Sequence, residues 1–214
     1  MFLGHLALGY AAKRWLPHVS LAVLLAATQL ADLIWPVLLA AGVEHVRIVP
    51  GFTAATPLEF LSYPYSHSLA ALFVWGALFA SLFARRPRAF AALLLLVLSH
   101  WALDVMTHVP DMPVYPGSRT FGLGLWNSVW GTRLVELSMF AAGIWIYASS
   151  TSPRDSTGRW APWILAALLV AGFLSSGVPP PSVPALWMTT IALFVILLSL
   201  AYWSDAHRRS TIDD

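Results

Sequence analysis

Residues 89–109 read AFAALLLLVLSHWALDVMTHV, and the fold class turns on this stretch. Residues 89–98 are uniformly apolar, with no polar face of the kind a surface helix of a soluble domain must show. At 1.5 Å per residue, about twenty such residues cross the roughly 30 Å of hydrocarbon in a bilayer. The same stretch then carries His100, Asp104 and His108. An ionisable group deep in a bilayer costs on the order of 2.5 to 3.5 kcal/mol, so such residues inside a span point to function. Their i, i+4, i+8 spacing places them on one helix face, with neighbouring Cβ atoms roughly 6 Å apart. Helical zinc sites use histidines at that spacing, with Asp as a hard oxygen ligand and His as a borderline nitrogen.

The composition agrees. Of 214 residues, 58% are hydrophobic and 10% charged, and the mean hydropathy is +0.71. A soluble domain carries about a quarter charged residues, so the bilayer is the solvent here. Cysteine is absent, which excludes disulfides, thiolate nucleophiles and Cys-ligated metals, and leaves His and carboxylate as the strong ligands. The net charge of +2 comes from cations grouped at segment ends, not interleaved with aromatics, so no nucleic acid is expected as a partner. The N-terminal MFLGHLALGYAAKRW lacks the basic region that precedes a signal-peptide core, and neither a lipidation signal nor an internal repeat is evident.

Apolar segments are expected at about residues 2–15, 19–43, 64–84, 89–109, 129–149, 160–176 and 184–203. The first is too short to cross and reads as a half-helix. Polar loops at 44–63 and 110–127 and the stiff VPPPSVP turn at 178–184 separate the others. The expectation is an all-α, polytopic transmembrane helix bundle of about six spans plus the N-terminal half-helix. It forms one integral membrane domain, with residues 1–127 carrying the His/Asp site and 128–214 supplying supporting helices. Lys13, Arg14, Arg85, Arg86, Arg88, Arg154, Arg159, Arg208 and Arg209 fall on one side of this threading, and Arg47 and Arg119 on the other. The positive-inside rule makes the first side cytoplasmic. The segments RPRAF, SPRDSTGRW and HRRSTIDD then read as solvated cytoplasmic connections and tail.

Counting from the basic ends puts His100 roughly 18 Å, Asp104 roughly 24 Å, Asp32 roughly 20 Å and His5 roughly 12 Å into the membrane, while His67 opens its span from the outer side. Asp32, His67, His100 and Asp104 are therefore expected to meet as metal ligands in the outer half of the bilayer, with His5 and His108 as further ligands. Taken singly, His5, His108, Asp111 and Glu136 are equally accounted for as interhelical hydrogen-bonding groups. His18, His45 and His207 lie at connections, where a solvated side chain is expected.

The blocks GHLALGYAAK, ADLIWP, YSHSL and LSHWALDVMTH, in this order, resemble the YdjM-like bacterial inner-membrane proteins, a family assigned as metal-dependent hydrolases. The resemblance covers roughly the first half of the chain. It implies that Gly4 and His5, Ser66, His67 and Ser68, and Ser99, His100 and Asp104 occupy the family's motif positions. In the second block Asp32 keeps the first acidic position, while Ile34 and Trp35 stand where the family has a second Asp and a His. Ser62 stands near a His-Arg-Gly that is absent here. The resemblance thus implies one metal, or a second one completed by His108 or Asp111.

The expected activity is hydrolysis of a lipid-like phosphoester from the extracytoplasmic side, using a divalent metal ion, zinc or manganese, in the bacterial inner membrane. Asp104 takes part in the chemistry, Asp111 or Glu136 serves as base, and Ser66, Ser68 and Arg119 contact the substrate, with Arg119 on its anionic head group. Membrane lipids are the expected partners. The other readings of the same residues are a proton-linked permease and a non-catalytic scaffold with a structural metal. A single concentration of polar residues, without corresponding halves, favours an enzyme over a permease.

Overall fold

A computed structural model of the chain describes residues 1–212. In chain order its elements are α1 (Leu3–Ala12), α2 (Leu21–Thr28), α3 (Leu30–Ala40), β1 (His45–Ile48), β2 (Leu58–Ser62), α4 (Pro64–His67), α5 (Leu69–Ser81), α6 (Pro87–Thr107), β3 (Met112–Pro113), β4 (Thr120–Phe121), α7 (Val129–Ser150), β5 (Thr151–Pro153), α8 (Ser156–Leu174), α9 (Val183–Ala206) and β6 (Arg208–Ser210). The polar residues between apolar segments act as caps. The side chains of Ser20, Ser68, Ser128, Asp155 and Ser182 each accept a backbone N–H of the helix they precede, and Pro87 begins α6 where no N–H is needed.

Among the described residues, α6, α8 and α9 are long and apolar enough to cross a membrane, and α2 with α3 makes a fourth crossing if a 62° bend is allowed. α5 is apolar but short, and α7 is long but carries Arg133 and Glu136. The outward faces are hydrocarbon: Phe73, Val74 and Leu78 on α5, Ile164 and Leu168 on α8, and Val195 and Ile196 on α9 are all exposed. Only 11% of the most apolar stretch of α9 is buried. In water this would be an aggregating surface; in lipid it is the protein's exterior.

The structure departs from the sequence expectations in four places. The segment expected over 19–43 breaks at Gln29, where the backbone leaves helical geometry (φ −108°, ψ 13°). The segment expected over 64–84 breaks at extended Ser68, whose hydroxyl starts α5. The two loops contain antiparallel hairpins, β1 with β2 and β3 with β4. The tail is not simply solvated: β6 pairs with β5, and the buried Arg208 guanidinium donates to Thr151 O, Thr151 Oγ1 and Gly158 O at 2.6–2.8 Å. Those acceptors hold a cation that the sequence suggests should be free.

The short α1 lies at the centre, with Leu3, Leu6 and Tyr10 fully buried against α2, α7, α8 and α9. A second apolar cluster joins α2, α5 and α6, and a third sits under the hairpins around Trp35, Tyr63 and Met112. Three features hold α1. At its N-terminus, Glu136 Oε2 accepts the backbone N–H of Phe2 (2.8 Å), Leu3 (2.7 Å) and Gly4 (3.4 Å), satisfying donors that would be orphaned in an apolar interior. Along its length α7 comes so close that a Cβ on Gly143 would lie 2.4 Å from Ala7 O. At the other end Lys13 Nζ pairs with Asp205 Oδ2 at 2.7 Å, and Asp205 also accepts Leu21 N–H and the Tyr147 hydroxyl. One buried carboxylate thus joins α1, α2, α7 and α9.

Gly143→Val is expected to force α1 from α7 and to cost about 2–3 kcal/mol, read as a lowered unfolding midpoint in detergent. Asp205→Ala strands the Lys13 charge and is expected to cost about 3–5 kcal/mol by the same assay, more than Arg47→Ala at an exposed pair.

Candidate metal centre

Helix α6 presents His100 and Asp104 one turn apart, and His108 follows as its C-cap. Opposite them stand Asp32 from the first turn of α3, His67 from the end of α4, and His5 from α1. The Asp104 carboxylate is the centre of the group. Its Oδ1 is held by the Met1 amino group at 2.5 Å and by His5 Nε2 at 3.0 Å. Its Oδ2 faces His100 Nε2 at 3.1 Å, His108 Nε2 at 3.8 Å and His67 Nε2 at 4.0 Å. Asp32 Oδ1 lies 3.4 Å from His67 Nε2 and 3.9 Å from His100 Nε2. His5 and His100 are fully buried, and His67, Asp104 and His108 nearly so, while the Asp32 side chain is 26% exposed and forms the open side.

The far nitrogen of each of three rings is tied down, which fixes the tautomer. His100 Nδ1 lies 2.8 Å from Thr28 O, a carbonyl released by the break between α2 and α3, so Nδ1 donates. Ser66 Oγ donates to Glu44 Oε2 at 2.6 Å and therefore accepts from His67 Nδ1, also at 2.6 Å. His108 Nδ1 donates to Asp111 Oδ1 at 3.0 Å, and the Tyr63 hydroxyl donates to the same oxygen at 2.7 Å. In the neutral ring each Nε2 then carries a lone pair pointed at carboxylate oxygens, an arrangement that repels itself unless a proton or a metal cation lies between. His100 Nε2 shows this directly: at 3.1 Å from Asp104 Oδ2 it still lacks hydrogen-bond geometry and is a buried nitrogen without a hydrogen-bond partner.

Two donor sets could hold an ion, His67–His100–Asp104 and His5–Asp32–His100, each with its ligand atoms within 4.8 Å of one another. Ligands about 2.0–2.1 Å from a tetrahedral zinc lie about 3.3 Å apart, which is the scale of these separations. Imidazoles anchored through Nδ1 by a carbonyl, a hydroxyl–carboxylate pair and a carboxylate are the usual support of histidine ligands. The residues fit a divalent ion. The two sets share His100, and the His5 ring stacks on the His100 ring at 3.8 Å, so they form one cluster.

The other expected residues fall around it. Ser66 links Glu44 to His67, and Ser68 caps α5. Asp111 supports His108, while Glu136 caps α1 and also lines a cavity of about 410 Å³ that opens from the cluster. Arg119 is exposed between β3 and β4 and does not line this cavity. Asp32, His67, Asp104 and His108 form the polar end; Phe173, Leu186, Leu193 and Phe194 of α8 and α9 form an apolar wall. The C-terminal helices, expected only to support, therefore shape the site.

Glu44, Tyr63, Trp126 and Arg133 were not singled out by the sequence. Glu44 and Tyr63 lie in a segment that reads as loop, and both are buried beside the cluster. The Trp126 ring lies 4.1 Å from that of His108, and Arg133 lines the cavity from α7. The sequence signal for Arg133 is a second charge, beside Glu136, within an apolar segment.

Comparison with known proteins adds one finding. No curated protein and no solved structure matches the chain. The profile of a family described as YdjM inner membrane protein matches residues 1–206, which extends the likeness well past the half of the chain that carries the motifs. With its apolar helices and its buried His/Asp cluster, the chain belongs to the YdjM inner-membrane protein family.

Proposed function

We propose that this protein is a membrane-embedded metal-dependent hydrolase acting on an amphipathic, lipid-like phosphoester from the extracytoplasmic side. The observation that carries the reading is the convergence of three histidine Nε2 atoms, each with its Nδ1 anchored, on Asp104 Oδ2 at the end of an apolar-walled cavity. A cavity of this size suits a ligand of drug-like dimensions or the head and upper chain of a lipid. In the proposed topology about six segments cross, with α7 and the broken α2–α3 and α4–α5 pairs among them, and the basic connections lie in the cytoplasm. The cluster then lies in the outer half of the bilayer.

His67, His100 and Asp104 would hold the ion, zinc or manganese, with Asp32 on the open side and His5 and His108 as the next ligands. A divalent ion supplies Lewis acidity at a phosphoryl oxygen. The remaining work is done by the chain. Glu136, which lines the cavity and caps α1 through Oε2 alone, would accept a proton from an attacking water; Asp111 is engaged by His108 and Tyr63 and would act through them. The apolar wall of α8 and α9 seats a hydrocarbon chain and keeps bulk water away.

The same residues would serve a proton-linked permease, which needs no stoichiometric metal, or a scaffold with a structural one. Protein purified in detergent without chelator is expected to hold about one or two equivalents of a divalent metal by mass spectrometry, lost in a folded His100→Ala, Asp104→Ala double variant. Folded wild-type protein without metal would sink the hydrolase reading and turn attention to transport. Metal retained without turnover of any lipid phosphoester would favour the scaffold. Glu44→Gln, which weakens the acceptor behind Ser66 and His67, is expected to lower metal affinity about 10–100-fold in a competition titration with a chelator.

A further inference from the structure

The cavity contains one unexplained charge. Val129, Thr132, Arg133 and Glu136 line it together, and their spacing of i, i+3, i+4 and i+7 puts them on one face of α7. Arg133 is the one Lys or Arg side chain among the lining residues. It makes no ion pair among the described residues; its guanidinium carbon lies 5.6 Å from the centre of the Trp130 ring. The nearest acid in sequence, Glu136, already holds three backbone N–H groups with one oxygen. The other outer-side arginines are accounted for elsewhere, Arg47 by an ion pair with Glu59 and Arg119 by its place on the exposed hairpin.

A guanidinium facing a half-apolar cavity in a membrane protein is costly without an anion. Its planar fork of donors matches the oxygens of a phosphate better than an ammonium does. Across from it stand Phe173, Leu186, Leu193 and Phe194, which offer nothing to a head group and suit a hydrocarbon chain.

We propose that Arg133 binds the anionic phosphate of a ligand whose hydrocarbon chain lies against α8 and α9, so that the site selects lipid phosphates over neutral lipids of equal length. This deepens the hydrolase reading by assigning the residue that selects the phosphate of its substrate, and it rests on that reading only for the bond that is cleaved.

The test is a binding titration of the purified full chain in detergent, using a long-chain alkyl phosphonate that cannot be hydrolysed, the alcohol of the same chain length, and inorganic phosphate. Arg133→Gln is expected to weaken phosphonate binding about 10–100-fold, with metal content and alcohol binding unchanged. Arg119→Gln is expected to leave phosphonate binding unchanged, and inorganic phosphate to bind far more weakly than the phosphonate. Equal phosphonate affinity in wild type and Arg133→Gln overturns the proposal, as does inorganic phosphate binding as tightly as the phosphonate. If Arg133→Gln also loses metal, the neutral, similarly long Arg133→Met decides: reduced phosphonate affinity at normal metal content supports the assignment, and unchanged affinity overturns it. Arg133-dependent phosphonate binding in a protein that holds no metal would sink the hydrolase reading and leave this assignment standing; metal binding with no Arg133 dependence would do the reverse.

Discussion

The carboxylate of Asp104 is the constraint around which the rest of the site is arranged. One oxygen is held by the Met1 amino group and His5, and the other is offered to three imidazoles. A buried anion in a bilayer is tolerated only when it is surrounded by donors or cations. That requirement explains the central position of α1, whose N-terminus brings two of those donors. It also explains Glu136, because a helix end delivered to that depth needs its own orphan N–H groups satisfied. The closeness of Gly143 to Ala7 follows, since it lets α7 reach across and provide that acceptor.

The supports behind the histidines lie at or beside breaks in regular structure. The break at Gln29 exposes Thr28 O for His100, the turn into α4 sets Ser66 and Glu44 behind His67, and the connection after α6 brings Asp111 to His108. Non-helical backbone at membrane depth is tolerated where protein groups satisfy it. At the α2–α3 break the group that satisfies it is a ring being oriented, because His100 Nδ1 donates to Thr28 O, so that irregularity and the site account for each other.

The physics that made part of this legible in the sequence also explains what stayed hidden. His5, Asp32, His67, His100 and Asp104 stood out because lipid penalises ionisable groups, and the structure brings all five together. Glu44 and Tyr63 carried no such signal, since a polar residue in a polar loop is unremarked until the hairpin of β1 and β2 folds back over the cluster. Lys13, Asp205 and Arg208 sit at segment ends, where topology alone accounts for charge, and their burial in one network depends on the packing of α1 against α9 and of β6 against β5. The break within residues 19–43 was invisible because LLAATQLADLIWP is apolar throughout its helical register apart from residues that a helix can carry.

The open carbonyl at Thr28 ties the fate of the protein to its chemistry. In a hydrocarbon medium a released backbone acceptor has no water to turn to, so the His100 ring is a stitch in the fold as well as a member of the candidate site. Its loss would leave that carbonyl unpaired, so a change made to the site reaches the α2–α3 junction as well.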